Sequence, residues 1–184
     1  GGSWSDVSGS LPDRWVTSVR TDPFDRDTAY VTFSGYRWSE ALPRVYRTTD
    51  LGGSWTAISG TLPDAPVNDL VPDPAFSARL FVASDVGVFE SANGGADWSA
   101  LGAGLPRVVV TSLAFEPASR QLYAGTYGRS FFSVVVPDPE PGTGYCFGDP
   151  GSGTPCPCSN DNDGSVPGSG CANGVFTSGA KLSG

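Results

Sequence analysis

The side chains able to carry chemistry in this chain are few. It has 184 residues with no His, no Met and one Lys, Lys181. Without His there is no Ser-His-Asp triad, no Cys-His pair and no imidazole metal ligand. Carboxylates, Arg, aromatics and thiols remain. Asp and Glu number 19 against 11 Lys and Arg, a net charge of −8 with a pI near 4.3. That balance lacks the positive footprint of a general nucleic-acid binder. A glycosidase needs two carboxylates across one scissile bond. Asp13, Glu40, Asp64 and Asp85 are available, but none sits in a local catalytic signature. The densest cluster of binding-type residues is the loop Ser34 to Arg44. There Tyr36 and Trp38 can stack on sugar faces, with Arg37, Glu40 and Arg44 as hydrogen-bonding partners. The plainer reading is that Trp38 packs its loop onto the sheet. Asp85, Tyr127 and Arg129 are further candidates for the same surface. The sequence offers no catalytic constellation and no cofactor motif.

Thiol chemistry is confined to one end. Cys146, Cys156, Cys158 and Cys171 all lie in the last 39 residues. An even number in a Gly- and Pro-rich segment reads as a disulfide framework in an oxidising compartment. Three pairings are open. Zinc usually takes closely spaced pairs such as C-x₂-C. Here nine, one and twelve residues separate successive cysteines. The chain is therefore expected to be secreted or extracellular. Asp161-Asn162-Asp163-Gly164 is a fragment of a calcium loop. With Gly164 in frame, the first ligand position holds Ser159 and the closing Glu position holds Gly170. A solvated polar turn is the expected reading, with calcium at Asp161 and Asp163 the lesser one. No stretch approaches the roughly 20 apolar residues needed to cross a bilayer. The chain opens without Met or a secretory leader, which points to a processed chain or an excised piece.

These residues must be positioned by something, and an internal repeat says what. Gly2 to Pro23, Gly53 to Pro74 and Ala96 to Pro117 align without gaps. In each, a Trp (Trp4, Trp55, Trp98) precedes a Leu-Pro by seven residues. A Pro (Pro23, Pro74, Pro117) follows that Leu by twelve. The periods, 51 and 43 residues, suit propeller blades of four short strands. Runs rich in Val, Phe, Tyr and Thr, fenced by Gly, Pro and Asp, read as strands. First strands are expected at Val16–Val19, Val67–Val71 and Val109–Leu113. Second strands fall at Thr28–Phe33, Arg79–Ala83 and Gln121–Thr126. Third strands fall at Val45–Thr49, Val86–Ser91 and Phe131–Val136. Fourth strands follow the Trp, at Thr56–Ser59 and Ser99–Leu101, with one more at Trp4–Val7. No window shows helical periodicity.

A stricter motif joins third to fourth strands. Thr48, Asp50, Gly52 and Trp55 have the form [ST]-x-[DN]-x-G-x-x-W, and Ser91, Asn93, Gly95 and Trp98 repeat it. Gly1 to Trp4 reads as the tail of a third copy. This resembles the Asp-box, or BNR repeat, of sialidases, sortilin-type propellers, xyloglucanases and photosystem-assembly propellers. A short Asx side chain closes a turn by bonding backbone two residues on. Gly supplies positive φ and Trp buries a large surface between sheets. An amide closes a turn but cannot be a general base, so Asn93 makes the motif structural. The resemblance implies that these turns face away from the ligand mouth. Tyr123 to Phe131 resembles the T-[YH]-G-R segments that close last blades. A sialidase would need an Arg cluster and a Tyr nucleophile with a Glu partner; Tyr127 and Arg129 match only in part. Residues 143–184, with Cys146-Phe147-Gly148-Asp149, Cys156-Pro157-Cys158 and Gly170-Cys171-Ala172-Asn173, resemble a Cys-rich C-terminal module of secreted planctomycete-type bacterial proteins.

The expected architecture is all-β. Residues 1–136 form about three four-stranded antiparallel blades, the C-terminal part of a larger propeller. Residues 137–144 form a Pro/Gly linker, and 145–184 a truncated, disulfide-bonded tail. The expected function is a non-catalytic extracellular binding or scaffold module for glycan or protein. The remaining blades come from the same or another chain. A glycoside hydrolase fragment is the alternative, and a structural cell-surface or fibre protein the second.

Overall fold

The computed structural model describes residues 2–35 and 42–138. Their Val-, Phe- and Thr-rich runs form eleven strands. The first blade holds β1 (Val16–Thr21), β2 (Ala29–Phe33), β3 (Val45–Thr48) and β4 (Thr56–Ala57). The second holds β5 (Val67–Pro72), β6 (Leu80–Ser84), β7 (Gly87–Ser91) and β8 (Ser99–Ala100). The third holds β9 (Val110–Glu116), β10 (Gln121–Thr126) and β11 (Phe131–Val135). Each strand pairs antiparallel with its chain neighbour, in sheets ordered β1-β2-β3-β4, β5-β6-β7-β8 and β11-β10-β9. The fold is a partial β-propeller of three blades, with no helix among the described residues.

Two expectations need correction. Trp4–Val7 is not a strand. A strand forms against a partner edge, and no edge among the described residues pairs with it. The fourth strands are also shorter than expected, two residues each.

The chain divides into two units, Gly1–Val136 and Pro137–Gly184. Cys146, Cys156, Cys158, Cys171, Asp161 and Asp163 lie outside the described residues. So do Tyr36, Arg37, Trp38 and Glu40.

One core fills each space between blades. Tyr30, Val45 and Ile58 of the first blade meet Val67, Leu70, Leu80, Val82 and Trp98 of the second. Phe81, Ala83 and Val88 of the second meet Val110, Leu113, Leu122 and Ala124 of the third. Alternation along β6 sends Leu80 and Val82 one way, Phe81 and Ala83 the other. First strands break this rule. Val67 and Leu70 share a face although they stand three positions apart, an odd step. A register shift between Val67 and Asp69 resets the phase, and β1 shifts likewise between Val16 and Ser18.

The bulge also aims polar side chains across the interfaces. Thr17 Oγ1 donates to Val67 O at 2.7 Å, and Asn68 Nδ2 to Val110 O at 2.9 Å. Asp69, 4% exposed, ties three blades. It accepts from Ser18 Oγ at 2.7 Å, from Arg20 Nη2 at 2.9 Å and from Leu113 N at 2.9 Å. At the other end of the same strand lies buried Asp73, bonded by Arg120 at 2.8 and 2.7 Å. Burial alone would raise its pKa, but the Arg120 bonds and the Ala75 amide hold the carboxyl below the usual range.

Candidate functional site at the ligand-type rim

The loops sort to two ends of the blades. At one end each third-to-fourth-strand turn is bonded to a first-to-second-strand loop. Leu51 N donates to Asp27 O at 3.0 Å, and Gly94 N to Ala78 O at 2.8 Å. At the other end, second-to-third-strand loops are bonded to the segments preceding first strands. Ser34 N donates to Trp15 O, Asp85 N to Pro66 O, and Tyr127 N to Val109 O.

The first end carries the Thr48–Trp55 and Ser91–Trp98 turns. Asp50 Oδ1 accepts from Thr48 Oγ1 at 2.7 Å and from Ser54 N at 2.8 Å. Thr48 Oγ1 accepts from Gly52 N at 2.9 Å. Asn93 repeats this, with Ser91 Oγ at 3.0 Å, Asp97 N at 2.9 Å and Gly95 N on Ser91 Oγ at 2.9 Å. The Thr48 bond, then those of Ser54, hold the Asp50 carboxyl below its ordinary range. It is thus an ionised acceptor wholly engaged in turn closure. Gly95 is required twice over: its φ is +93°, and a Cβ there would meet Ile58 O at 2.7 Å. The turn closes directly onto the neighbouring blade. Trp98 Nε1 donates to Ile58 O at 2.9 Å, and Trp55 Nε1 to Val7 O at 2.9 Å.

Because Asn93 already serves, Asp50→Asn is expected to leave the melting temperature within a degree or so. Asp50→Ala strands the Ser54 amide and lowers it measurably. Thermal melts of the two variants check this; equal losses would assign Asp50 a role beyond turn closure.

The opposite rim carries the candidate binding residues. There lies a cleft of about 260 Å³, lined by Leu42, Pro43, Arg44, Ser59, Leu62 and Asp64 among others. Arg44 is buried. Arg44 Nη2 bonds Asp64 Oδ1 at 2.9 Å, and Nη1 donates to Ser34 O at 3.2 Å. The Asp64 side chain is 62% exposed, so a fixed guanidinium presents a carboxylate to solvent. Asp85 on the second blade accepts from Asn68 Nδ2 at 2.9 Å. Tyr127 and Arg129 stand exposed in the β10–β11 turn. No hydrogen bond or ion pair among the described residues joins Asp85, Tyr127 and Arg129 to each other. Asp13 and Arg107 are exposed on segments that precede first strands. The structure thus brings Arg44 and Asp64 together and spreads the other candidates over three blades. No group of three metal-ligating side chains occurs among the described residues.

Sequence reasoning missed Asp69 and Asp73. A signal existed for the second. A carboxylate precedes the repeated Pro in every blade, as Asp22, Asp73 and Glu116. Each caps its loop: Asp22 accepts from Phe24 N, Asp73 from Ala75 N and Glu116 from Ala118 N.

No family model and no curated protein matches this chain. Solved β-propellers do. The GH74 xyloglucanase of Xanthomonas campestris is 16% identical with a TM-score of 0.51, over 67% of this chain and 23% of that one. A Niastella koreensis GH74 enzyme is 20% identical at 0.52, over 65% and 21%. The Swd1 β-propeller domain of Myceliophteria thermophila is 12% identical at 0.51, over 68% and 40%. These likenesses establish the β-propeller fold. The chain spans less than a quarter of the length of the GH74 structures.

Proposed function

We propose that this chain is part of a secreted Asp-box propeller acting as a non-catalytic extracellular binding module, with glycan as the preferred ligand class. The observation that carries the reading is the Arg44–Asp64 cleft. A carboxylate held in one orientation by a buried guanidinium is a preorganised hydrogen-bond acceptor for sugar hydroxyls. The sequence between Ser34 and Arg44 also contains Tyr36 and Trp38, residue types suited to ring stacking, and Arg37 and Glu40, suited to hydrogen bonding. Asp85, Tyr127 and Arg129 extend the same rim. The four tail cysteines support an oxidising compartment. Two carboxylates of this rim, Asp64 and Asp85, are better placed for binding than for hydrolysis. Asp64 is committed to Arg44 and Asp85 to Asn68, whereas hydrolysis asks for a matched acid and base across one bond.

A glycan array probed with the whole chain tests this. Binding is expected on a subset of polysaccharides, reduced at least tenfold by Trp38→Ala and by Asp64→Asn, with the melting temperature retained. An array without signal would end the glycan reading. The second reading, a glycoside hydrolase fragment, draws on the GH74 neighbours. Release of reducing sugar from xyloglucan by the chain, abolished by Asp64→Asn, would establish it instead.

A further inference from the structure

Strand register matches positions of the first blade to those of the second. Tyr46 pairs with Ala57 as Phe89 pairs with Ala100. Ile58 N donates to Val45 O as Leu101 N donates to Val88 O, both at 2.9 Å. Arg44 therefore corresponds to Gly87, Ser59 to Gly102 and Asp64 to Arg107. The cleft of Arg44 and Asp64 has a counterpart one blade further on. This second cleft is smaller, about 90 Å³, and is lined by Val86, Gly87, Val88, Gly102, Pro106 and Arg107 among others. Each cleft lies beside the connection that leads from one blade into the next, and both blades are present in each case.

The two clefts differ in charge. In the first, the Arg44 guanidinium bonds Asp64 Oδ1 and Ser34 O, and the group shown to solvent is a carboxylate. In the second, Gly87 stands where Arg44 would be. Its φ is +130°, and a Cβ there would meet nothing within 4 Å. Arg107 stands where Asp64 would be. It is exposed, with no hydrogen bond or ion pair among the described residues. No described carboxylate lines this cleft. Asp85, next to Val86 in the chain, is bonded instead by Asn68 Nδ2 at 2.9 Å. Backbone donors differ as well. Ser59 Oγ accepts from Arg44 N at 2.9 Å and from Val45 N at 3.0 Å, whereas Gly102 has no hydroxyl to offer the Val88 amide. A second cation stands on the same blade rim. Arg129, in the β10–β11 turn, is exposed and likewise unpaired among the described residues. Tyr127 N donates to Val109 O at 2.9 Å, which ties that turn to the segment carrying Arg107. Thr126 N and Oγ1 both donate to Ser130 O, at 3.0 and 2.6 Å, and close the turn.

We propose that the second cleft is an anion subsite, which takes a carboxylate or sulfate group of an acidic glycan while the first cleft takes hydroxyls. The inference deepens the glycan reading given above and rests on it. A guanidinium presents paired N–H groups in one plane, which match the oxygens of either anion. The chain carries a net charge of −8, so an acidic ligand is repelled as it approaches. A local cation with no carboxylate beside it offsets that repulsion at short range, where salt does not screen the contact away. Arg107 is such a cation, and Arg129 adds to the potential of the same rim. Arg44 cannot serve this end, because Asp64 already neutralises it. Successive clefts of opposite charge also fix the direction of a bound sugar chain, with its acidic group toward the third blade.

Calorimetric titration of the whole chain with two matched pairs tests it: oligogalacturonate against its methyl ester, and dextran sulfate against dextran. The charged member of a pair is expected to bind roughly three- to tenfold tighter than the neutral one, as a charge-assisted contact at a partly exposed site does. Added salt narrows the difference. Arg107→Gln brings the two members to equal affinity, and Arg107→Lys keeps part of the difference. The side chain is exposed, so both variants retain the native far-UV circular dichroism. A preference within the first pair identifies the group as a carboxylate, and one within the second as a sulfate; either upholds the subsite. Equal affinity within both pairs overturns it and leaves the glycan reading standing. A preference that Arg107→Gln does not alter overturns it in the same way. Binding to none of the four overturns it too, and the glycan array then decides the wider reading separately.

Discussion

Trp98→Ala is expected to lower the unfolding free energy by about 3–5 kcal/mol, the usual cost of truncating a buried Trp. Trp98 is 7% exposed and lies in the core between the first two blades. Its indole also donates to Ile58 O at 2.9 Å and to Gly95 O at 3.1 Å. Truncation opens a cavity against Ile58, Leu62 and Leu80 and frees both carbonyls. The backbone on either side is tied to the first blade, because Trp98 N donates to Thr61 Oγ1 at 2.8 Å and Thr61 Oγ1 to Trp98 O at 2.9 Å. Relaxation into the cavity is therefore limited. The same substitution at Trp55 costs less, since Trp55 is only half-buried and packs on the Val7 segment rather than a complete blade. At Trp4 it leaves the single chain's stability unchanged. Urea unfolding of the three variants reads the order directly. Equal losses at Trp98 and Trp55 would show that the local turn, rather than packing between blades, sets the contribution.

Asp69→Ala is the second large loss, about 3 kcal/mol for removing one partner from a buried charge network. Ser18 Oγ, Arg20 and Leu113 N all lose their acceptor. The Leu113 amide is buried and cannot turn to water. Arg20 is 44% exposed and resolvates, which keeps the figure at the lower end. Arg20→Ala, by contrast, is expected to cost 1 kcal/mol or less, roughly the range of partly exposed ion pairs. Chemical denaturation of both variants separates the two contributions. If Arg20→Ala matches Asp69→Ala, the ion pair between the first and second blades, and not the bond to Leu113 N of the third, carries the contribution of Asp69. Proximity of the network to three blades also predicts a steepness change, since losing it lets the third blade open before the others.

The strand positions were legible because the repeat anchors and the alternation of apolar residues leave little freedom. Gln121–Thr126 is found at the expected residues, and β2, β6, β3, β7 and β11 begin or end within one residue of expectation. The turns were legible for a similar reason: Thr48, Asp50 and Gly52 act on backbone groups only four or fewer residues away. Trp4–Val7 was misread because sequence specifies the propensity of a strand but not its partner edge. Asp69 was missed because nothing near it in the chain differs from an exposed strand Asp. Its acceptors serve residues 51 and 44 positions away.

The amino-acid sequence alone determined the number of repeats, the sites of the turns and the chemistry of their closure, since each depends on contacts within one hairpin. Only the tertiary structure decided which valines are core. Val16 and Val67 hold the same place in their blades, yet one is 51% exposed and the other 1%. A residue's burial depends on what packs on its blade, and for Val67 that neighbour lies in the preceding blade, some twenty to forty residues away in the chain. The Arg44–Asp64 pair belongs to the same class, joining a loop to the connection between blades across 20 residues of chain. Interactions of that range are set by the way twisted sheets stack, which no local pattern records.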